Sequence, residues 1–285
     1  VALDALENRQ PATLAWGEGR AGFAKNRRKS ANGDGPVDHA LPILAVRSPE
    51  GRLRAVLANY ACHCTTLGGD FNRCGGDWAG YAQESMEEAF PDSIALVSIG
   101  CGADANPHPR TGLEFAQTHG REIATEVQRL LAPSLHAVKA LPSGAASDFP
   151  LPFEPLPTRG EWEERASAEG ITGYHARKNL ARLDRGETLS GALPYRVQSW
   201  TFGDDLAMLF LAGEVVVDYA TKLKGDCRSL WINAYANDVK AYIPSTRILD
   251  EGGYEAGGAL PYYDQPARLG PDTETLILNE VEIGR

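Results

Sequence analysis

The sequence predicts an α/β protein in which mixed β-sheets are flanked by helices. Short apolar runs alternate with amphipathic helical segments, and Gly-rich loops join them, which is typical of layered α/β domains. Two β-like runs at 41–47 and 53–63 are separated by a short turn that contains Pro and Gly, and this indicates a hairpin within a mixed sheet. With 285 residues, 43% of them hydrophobic and 23% charged, the chain is large and apolar enough for a globular core.

The first half of the chain carries strong periodic signals. It opens in a helical pattern, with Val1, Leu3 and Leu6 among polar residues. We interpret residue 1 as the start of a processed product or a fragment, so it carries no information on compartment. Asp77 is predicted to cap the helix that follows the hairpin. A helix, a short buried strand and a long amphipathic helix are predicted at 77–90, 94–99 and 112–132.

The second half resumes this alternation after an atypical segment. Residues 143–195 are rich in Pro, Gly, Glu and Ala, with a charged helix at about 159–186 and no strong strand. We interpret them as a variable insert in a single domain that spans residues 1–285. Two strands are predicted at 194–203 and 206–212, and a helix that runs to about 224 follows the second. A further strand is predicted at 230–236.

Charge and hydropathy exclude several classes of function. The formal net charge is −10, and an acidic surface is poorly suited to bind nucleic acid or an anionic membrane. We therefore expect no nucleic-acid partner. The sequence contains no run of about 18 apolar residues, which a transmembrane helix requires, so we expect no transmembrane segment.

Five cysteines leave at least one thiol unpaired within the chain. Cys62, Cys64 and Cys74 fall within one short segment, which permits a local disulfide without requiring it. The same segment allows a structural zinc site formed by these cysteines and His63. Alternation along a strand argues against that site, because Cys62 and Cys64 would share one face and His63 would point to the other.

Two polar residues stand at the ends of apolar strands. His63 ends the strand at 53–63, at the edge where α/β sheets place active sites, but a hydrogen-bonded interior histidine also fits the local pattern. Glu214 follows the apolar strand at 206–212 and precedes three valines. A carboxylate in such a run is paired, protonated or metal-bound, or it interacts favourably with a helix N-terminus. Neither residue defines a site by itself.

The glycine-rich loops are ambiguous in the same way. The loop at 100–107 follows a buried strand, where backbone amides and short side chains can approach a substrate, yet loops of Gly, Asp, Asn and Pro are mostly turns. Four tyrosines lie in a Gly-rich stretch near the C-terminus, where such residues usually pack while partly exposed. They are Tyr242, Tyr254, Tyr262 and Tyr263.

Taken together and in order, these motifs resemble the neutral, non-lysosomal ceramidase family. The matching segments are, in chain order, Phe23–Arg28, Arg52–Thr66, Gly100–Pro107, Gly213-Glu214, Asn233–Ser245 and Tyr254–Gly257. The spacing from Tyr242 to Tyr254, with an Asn-and-Tyr element ahead of it, is the most specific part. The resemblance spans nearly the whole chain.

The resemblance implies the fold of the ceramidase catalytic domain and a zinc-dependent hydrolase. Its substrate would be N-acylsphingosine or another small-molecule or lipid-like N-acyl compound, whose amide bond is attacked by zinc-activated water. Carried over residue by residue, the resemblance implies that His63, Glu214 and Tyr242 are zinc ligands. It implies catalytic roles for Tyr254, Asp104 and Gly102, and substrate binding by Arg27 and Asn106. The resemblance also implies a role in sphingolipid metabolism and a secreted or periplasmic location.

The sequence departs from the family pattern at two points. The family takes a further zinc histidine from an upstream His-Thr-His-like segment, and the surroundings of His39 do not match it. A preceding N-terminal segment is therefore expected to supply that ligand. Ala105 stands where the family has a loop serine. A zinc hydrolase acting on a different ester or amide, and a non-catalytic binding protein of the same fold, are the alternatives.

Overall fold

A computed structural model describes residues 1–30, 33–132, 135–225 and 229–281 of the chain. The strands within these ranges are β1 Thr13–Arg20, β2 Ala24–Asn26, β3 Lys29–Ser30, β4 Gly33–Asp34, β5 Ala40–Arg47, β6 Leu53–Tyr60, β7 Ile94–Ile99, β8 Ala105–Pro107, β9 His136–Val138, β10 Ser143–Pro152, β11 Ala192–Phe202, β12 Leu206–Ala212, β13 Glu214–Val215, β14 Leu230–Ala236 and β15 Tyr242–Ile243. The α-helices are α1 Ala2–Glu7, α2 Asp77–Ala89, α3 Leu113–Leu131, α4 Arg159–Ala166, α5 Gly170–Asp184, α6 Val217–Lys224, α7 Thr246–Glu251 and α8 Thr273–Glu280. A π-helical turn, Tyr254–Gly258, and a 3-10 helix, Leu260–Tyr263, lie between α7 and α8.

The first sheet has the strand order β7-β6-β5-β1-β9. Strands β5 and β6 form the antiparallel hairpin that the turn between them predicts, with Ile43 opposite Ala58. Strands β6 and β7 run parallel, and such a pair needs a crossover connection, here through α2. The sheet is therefore mixed, and the carboxyl ends of β6 and β7 lie together at one edge.

Helices α2 and α3 cover one face of this sheet. Side chains along a strand alternate between the two faces, so each strand can contribute apolar residues to two different layers. Ile43 of β5 and Val56 of β6 are fully buried in a cluster with Trp78 of α2 and Ile123 of α3. The helical layer therefore packs on the strands through continuous apolar contact.

The second sheet has the order β10-β11-β12-β14. Strands β12 and β14 are parallel and are connected through α6, while the other pairs are antiparallel. The outer face carries Val197, Leu211 and Ile232, which pack with Tyr219 of α6 and Ile248 of α7. This sheet is therefore also mixed and also covered by helices.

The two sheets pack face to face. Trp16 of the first sheet is clustered with Phe202, Met208 and Trp231 of the second. The layers follow the order helix, sheet, sheet, helix, because each sheet buries one face against the other sheet and the opposite face against helices. The predicted fold class, α/β with mixed sheets flanked by helices, is confirmed.

Two element boundaries differ from the sequence prediction. The strand predicted over 53–63 ends at Tyr60, because the amide of Cys62 turns back to the carbonyl oxygen of Tyr60. Strand alternation therefore does not govern the segment after it. Asp77 is the first residue of α2, with φ of 52°, and Gly76 is the residue before the helix. The carboxylate of Asp77 instead accepts a hydrogen bond from the amide of Leu67 at 2.9 Å.

The segment at 143–195 contains more regular structure than its composition indicates. Strand β10 pairs with β11 from Ser143 to Pro152, although the sequence shows no strong strand there. The charged helix predicted at about 159–186 is two helices, α4 and α5, and the second begins at Gly170, which has φ of 68°. The part of this segment that belongs to neither sheet is the α4–α5 hairpin.

Candidate active site

Residues far apart in the sequence gather at one end of the packed sheets. The parallel pairs β6/β7 and β12/β14 end there. The loops after β6 and β7 carry His63 and Asp104, Glu214 begins the short strand β13 directly after β12, and Tyr235 lies near the end of β14. Ligands of α/β proteins usually bind beyond the carboxyl ends of parallel strands. The topology therefore places this cluster where a binding site is expected.

His63 is held from three sides in the loop after β6. Its amide donates to the carbonyl oxygen of Ala105 at 3.0 Å, and its carbonyl accepts from Nε1 of Trp78 at 2.9 Å. Ring atom Nε2 lies 2.8 Å from the carbonyl oxygen of Ala103. Burial lowers the pKa of His63 to about 4, so the ring is neutral at pH 7. A neutral imidazole oriented by a carbonyl is the form in which histidine binds metals.

Glu214 is positioned by a backbone turn that requires glycine before it. Gly213 has φ of 79°, and a Cβ there would lie 2.8 Å from the carbonyl oxygen of Ala241. Both features exclude other residues at this position. The amide of Glu214 donates to the same carbonyl at 2.9 Å, and β13 pairs with β15 so that Glu214 is beside Tyr242. Strand pairing thus makes two of the predicted zinc ligands neighbours.

The carboxylate of Glu214 accepts hydrogen bonds from neutral tyrosine hydroxyls. Oε2 accepts from the hydroxyl of Tyr235 at 3.2 Å and lies 3.7 Å from Nε2 of His63, and Oε1 accepts from the hydroxyl of Tyr263. Because His63 is neutral, its contact with Glu214 is not an ion pair. Burial raises the pKa of Glu214 against the hydrogen bonds from Tyr242 and Tyr235. A buried carboxylate whose hydrogen-bond donors, among the described residues, are tyrosine hydroxyls is suited to a metal cation.

Tyr235 and Tyr263 are members of this cluster that the sequence analysis did not select. Tyr235 falls inside the Asn-and-Tyr element of the resemblance, and its left-handed φ of 55° turns it toward the site. Tyr263 lies in the Gly-rich tyrosine stretch, next to Tyr262, which is 63% exposed. No local sequence pattern distinguishes these two tyrosines from the other tyrosines of the chain. Only the tertiary packing that brings them to Glu214 does so.

Arg27 lies between two tyrosines that the resemblance selects. Its guanidinium carbon is 5.7 Å from the ring centroid of Tyr242 and 5.4 Å from that of Tyr254. Its Nη2 is 3.4 Å from the hydroxyl of Tyr242. Tyr242 is 8% exposed and Tyr254 is 45% exposed, so Tyr254 lies on the solvent side. The structure thus brings Arg27, Tyr242 and Tyr254 together.

Glu255 compensates the charge of two neighbouring arginines. Oε1 accepts from Nε of Arg27 at 2.7 Å, and Oε2 accepts from Nη1 of Arg28 at 2.5 Å. Although burial acts in the opposite direction, these hydrogen bonds lower the pKa of Glu255. The sequence does not reveal this role, because Arg27 is 228 positions away along the chain.

Asp104 and Gly102 lie beneath the site and do not line it. The carboxylate of Asp104 is fully buried and accepts from Nδ2 of Asn26 at 2.8 Å and from the amide of Val217 at 3.0 Å. The amide of Gly102 donates to a carbonyl of its own loop at 2.8 Å. A Cβ at Gly102 would lie 2.4 Å from the carbonyl carbon of Ala61. The polar groups of both residues are thus bonded within the protein, and their catalytic role stays a prediction from the resemblance.

The neighbouring residues Asn106 and Ala105 have different surroundings, polar for Asn106 and apolar for Ala105. Oδ1 of Asn106 is 3.4 Å from Oγ1 of Thr65, in the loop that follows His63. Ala105 is 1% exposed and belongs to the apolar core between the first sheet and its helices. The position at which the sequence departs from the ceramidase serine is therefore a core position in this chain, while Asn106 lies at the edge of the site.

The cysteines form no metal site in the part of the chain that the structure describes. Cys62, Cys64, Cys74 and Cys101 are all free, so the local disulfide is not formed, and Cys227 lies outside the described residues. Within the same ranges, no group of three or more His, Cys, Asp or Glu side chains is placed to hold a metal ion. The donors at the candidate site are one imidazole, one carboxylate and several tyrosine hydroxyls. This set fits zinc in donor type and falls short of a complete tetrahedral shell.

A four-layer α/β fold with a polar cluster at the carboxyl ends of its parallel strands defines the class of the protein. Two solved structures share this fold. The crystal structure of neutral ceramidase from Pseudomonas aeruginosa matches with a TM-score of 0.69 and 16% identity, over 97% of this chain and 52% of that chain. A structure of ceramidase complexed with C2 matches with a TM-score of 0.64 and 14% identity, over 95% of this chain and 52% of that chain. Neither protein-family models nor curated protein sequences give a match.

The chain therefore has a ceramidase-like fold, and the resemblance stated from its sequence is confirmed at the level of fold. It spans about half the length of the two ceramidase chains that it matches. Within the described ranges, no helix combines the length and the apolar character needed to cross a bilayer.

Proposed function

We propose that this chain is the core of a zinc-dependent hydrolase that cleaves the amide bond of an N-acyl substrate. The observation that carries the proposal is the convergence of His63 and Glu214 at the ends of strands from two different sheets: Nδ1 of His63 and Oε2 of Glu214 lie 3.3 Å and 3.2 Å from the hydroxyl of Tyr235. Tyr242 lies beside Glu214 by strand pairing. The ceramidase-like fold supports the amide class, a secreted or periplasmic location and a role in sphingolipid metabolism.

His63, Glu214 and Tyr242 would hold the ion, with a further ligand from a preceding N-terminal segment. Bound zinc would supply a Lewis acid and a water whose pKa is lowered to about 7. Burial raises the pKa of Tyr242, so its hydroxyl can ligate as a phenolate only next to a cation. The neutral state of His63 leaves a ring nitrogen available without loss of a proton.

Tyr254 and Arg27 would act on the substrate carbonyl. The hydroxyl of Tyr254 is on the exposed side of the cluster, where it can donate to the oxygen that becomes negatively charged during attack. Arg27, held by Glu255, contacts the ring of Tyr254 and fixes its orientation. Asn106, whose Oδ1 is 3.4 Å from Oγ1 of Thr65 in the loop after His63, would contact the substrate amide.

The metal centre is tested by the zinc content of purified protein that includes the preceding segment. We expect stoichiometric zinc in the wild type, loss of zinc in His63→Ala and Glu214→Gln, and retention in His136→Ala, a control at an exposed histidine. Wild-type protein without zinc, or unchanged zinc in both site variants, would overturn the metal centre.

The role of Tyr254 is tested by Tyr254→Phe, which removes one hydroxyl and keeps the ring. Loss of a single oxyanion donor reduces kcat by about 10²–10³-fold, and we expect a decrease of this size with little change in zinc content. Tyr262→Phe is the matched control, because the ring of Tyr262 is tilted against that of Tyr254, with 6.4 Å between centroids, and Tyr262 is 63% exposed. Equal kcat values for the two variants would contradict the proposed role.

The second candidate function is hydrolysis of a different ester or amide at the same metal centre. It is favoured by Ala105, which carries no hydroxyl where the family has a serine. Rates on N-acylsphingosine, N-acyl amino acids and simple esters would separate the two candidates. Zinc binding without turnover of any of these would favour a binding protein of the same fold.

A further inference from the structure

The α4–α5 hairpin contacts the tyrosine-rich segment through one carboxylate, that of Asp264. Arg182 donates from Nη2 to Oδ2 at 2.5 Å and from Nη1 to Oδ1 at 3.1 Å. Lys178 donates from Nζ to Oδ2 at 2.7 Å, and Nε2 of His175 is 3.7 Å from Oδ1. Two cations and an imidazole from one helix therefore converge on a single acceptor, and bidentate Arg–carboxylate pairs are geometrically specific.

The hairpin holds Arg182 in place for this contact. Asn179 is fully buried in α5; its Oδ1 accepts from Nη1 of Arg182 at 3.0 Å, and its Nδ2 donates to the carbonyl oxygen of His175 at 3.1 Å. Trp162 of α4 is 1% exposed and packs edge-on against the ring of His175, with 5.5 Å between centroids. The donor side of the contact is thus built into the packing between α4 and α5.

Asp264 directly follows a tyrosine of the candidate site. It ends the 3-10 helix in a left-handed conformation, with φ of 58°, and the residue before it, Tyr263, donates its hydroxyl to Oε1 of Glu214. The ring of Tyr263 also packs edge-on against Tyr242, with 6.0 Å between centroids. A movement of Asp264 would therefore move the hydroxyl that contacts Glu214.

The contact from Tyr263 determines which oxygen of Glu214 faces the site. Because Oε1 accepts from Tyr263, Oε2 is the atom near His63 and Tyr235. Groups that orient a metal ligand typically contribute 10–100-fold to metal affinity. Tyr263 has the geometry of such a group.

We propose that Tyr263 is a positioning residue for Glu214 and that the α4–α5 hairpin holds Tyr263 in place through Asp264. The hairpin, which belongs to neither sheet, would then help to position a side chain of the candidate site. The part that concerns metal affinity rests on the proposed zinc centre, whereas the hold of the hairpin on residues 260–265 does not.

The test measures two properties of the chain in four variants and a control. The first is the zinc dissociation constant of metal-free protein that includes the preceding segment, determined by competition with a chromophoric chelator. The second is hydrogen exchange at the amides of Tyr262, Asp264 and Gln265, which donate to carbonyls within the turn. The variants are Tyr263→Phe, Asp264→Asn, Arg182→Gln and the Asp264→Asn/Arg182→Gln double variant. The control is Asp184→Asn, at an exposed ion pair with Arg159 at the end of the same hairpin.

We expect zinc affinity to fall about 10-fold in Tyr263→Phe, Asp264→Asn and Arg182→Gln. The double variant should fall no further than Asp264→Asn alone, because that substitution already removes the charge that Arg182 and Lys178 contact. Exchange in the turn should be faster in Asp264→Asn and Arg182→Gln and unchanged in Tyr263→Phe. Asn tolerates the left-handed φ at position 264, so Asp264→Asn removes the charge and leaves the turn allowed. Asp184→Asn should match the wild type in both measurements.

Unchanged zinc affinity in Asp264→Asn, in a wild type that binds zinc, would overturn the inference and leave the proposed zinc centre standing. A wild type that binds no zinc would overturn the zinc centre, and the hold of the hairpin would then be decided by exchange alone. Unchanged hydrogen exchange in Asp264→Asn and Arg182→Gln would overturn the proposed hold of the hairpin, whether or not the wild type binds zinc.

Discussion

Two buried carboxylates, Glu214 and Glu255, lie in the same cluster of tyrosines and arginines. Glu255 accepts hydrogen bonds from Arg27 and Arg28, and its pKa is below the ordinary range. Glu214 accepts from tyrosine hydroxyls, and burial raises its pKa. The charge of a buried carboxylate that pairs with arginines is compensated within the protein. Burying a carboxylate without a cation raises the free energy of the folded state. At the scale of single residues, this difference separates Glu255, whose charge is compensated by arginines, from Glu214, which we propose as a metal ligand.

We predict that Glu255→Gln destabilises the protein by about 2 kcal/mol at pH 7, because it removes the carboxylate that pairs with Arg27 and one of the two carboxylates that pair with Arg28. A carboxylate with a lowered pKa stabilises the folded state above its ordinary pKa of about 4.3, and this contribution is lost as the pH falls through the lower, folded-state value. The difference between wild type and Glu255→Gln should therefore shrink as the pH falls below about 4.3. Urea unfolding of both proteins at pH 7 and at successively lower pH measures this.

Asp148→Asn is the control for that prediction. It breaks the ion pair between Asp148 and Arg196, whose side chains are 62% and 47% exposed, and exposed pairs often contribute nothing measurable. A loss of stability in this control equal to that in Glu255→Gln, or a Glu255→Gln difference that grows on acidification, would contradict the account of Glu255.

At the scale of elements, a polar network fixes the two sheets relative to each other near the site. Oδ1 of Asn233 in β14 accepts from Nδ2 of Asn59 in β6 at 3.2 Å, from Oγ of Ser98 in β7 at 2.8 Å and from Nε1 of Trp231 at 2.9 Å. Strand β6 leads to His63, and Asn233 is two positions before Tyr235. The network therefore fixes the relative position of β6 and β14, the strands that lead to His63 and Tyr235.

Asn233→Ala should destabilise the protein by about 3 kcal/mol, because each buried donor left without a partner costs about 1–3 kcal/mol and some of the three can find another acceptor. Chemical denaturation measures the change. Asn72→Ala, at an exposed asparagine, should be neutral. A tolerated Asn233→Ala would show that apolar packing alone aligns the sheets.

Secondary structure was predictable where periodicity is uninterrupted. The hairpin β5–β6, the buried strand β7 and the long helix α3 follow their apolar patterns closely. Strands β1 and β10 were missed because glycine and proline break their patterns, and both are held by pairing with neighbours. Pairing partners distant in sequence override weak local propensity.

At the scale of the whole molecule, the candidate site exists only where the two sheets meet. His63 comes from the first sheet, Glu214 and Tyr235 come from the second, and Tyr263 comes from the turn that follows α7. The apolar contact between the sheets, which includes Trp16 and Trp231, therefore holds the site together as well as the fold.

The sequence by itself determined the fold class and the resemblance to the ceramidases. It also selected His63, Glu214, Tyr242, Tyr254 and Arg27, which the structure brings together. These features can be read locally because they depend on periodicity and on short ordered motifs.

Only the tertiary structure decided the surroundings of those residues. It added Tyr235, Tyr263 and Glu255 to the cluster and moved Asp104 and Gly102 beneath it. It also connected the α4–α5 hairpin to the site through Asp264. The physical reason is that hydrogen bonding, burial and charge compensation depend on neighbours separated by tens to hundreds of positions, and no local pattern specifies which of several tyrosines or carboxylates will meet.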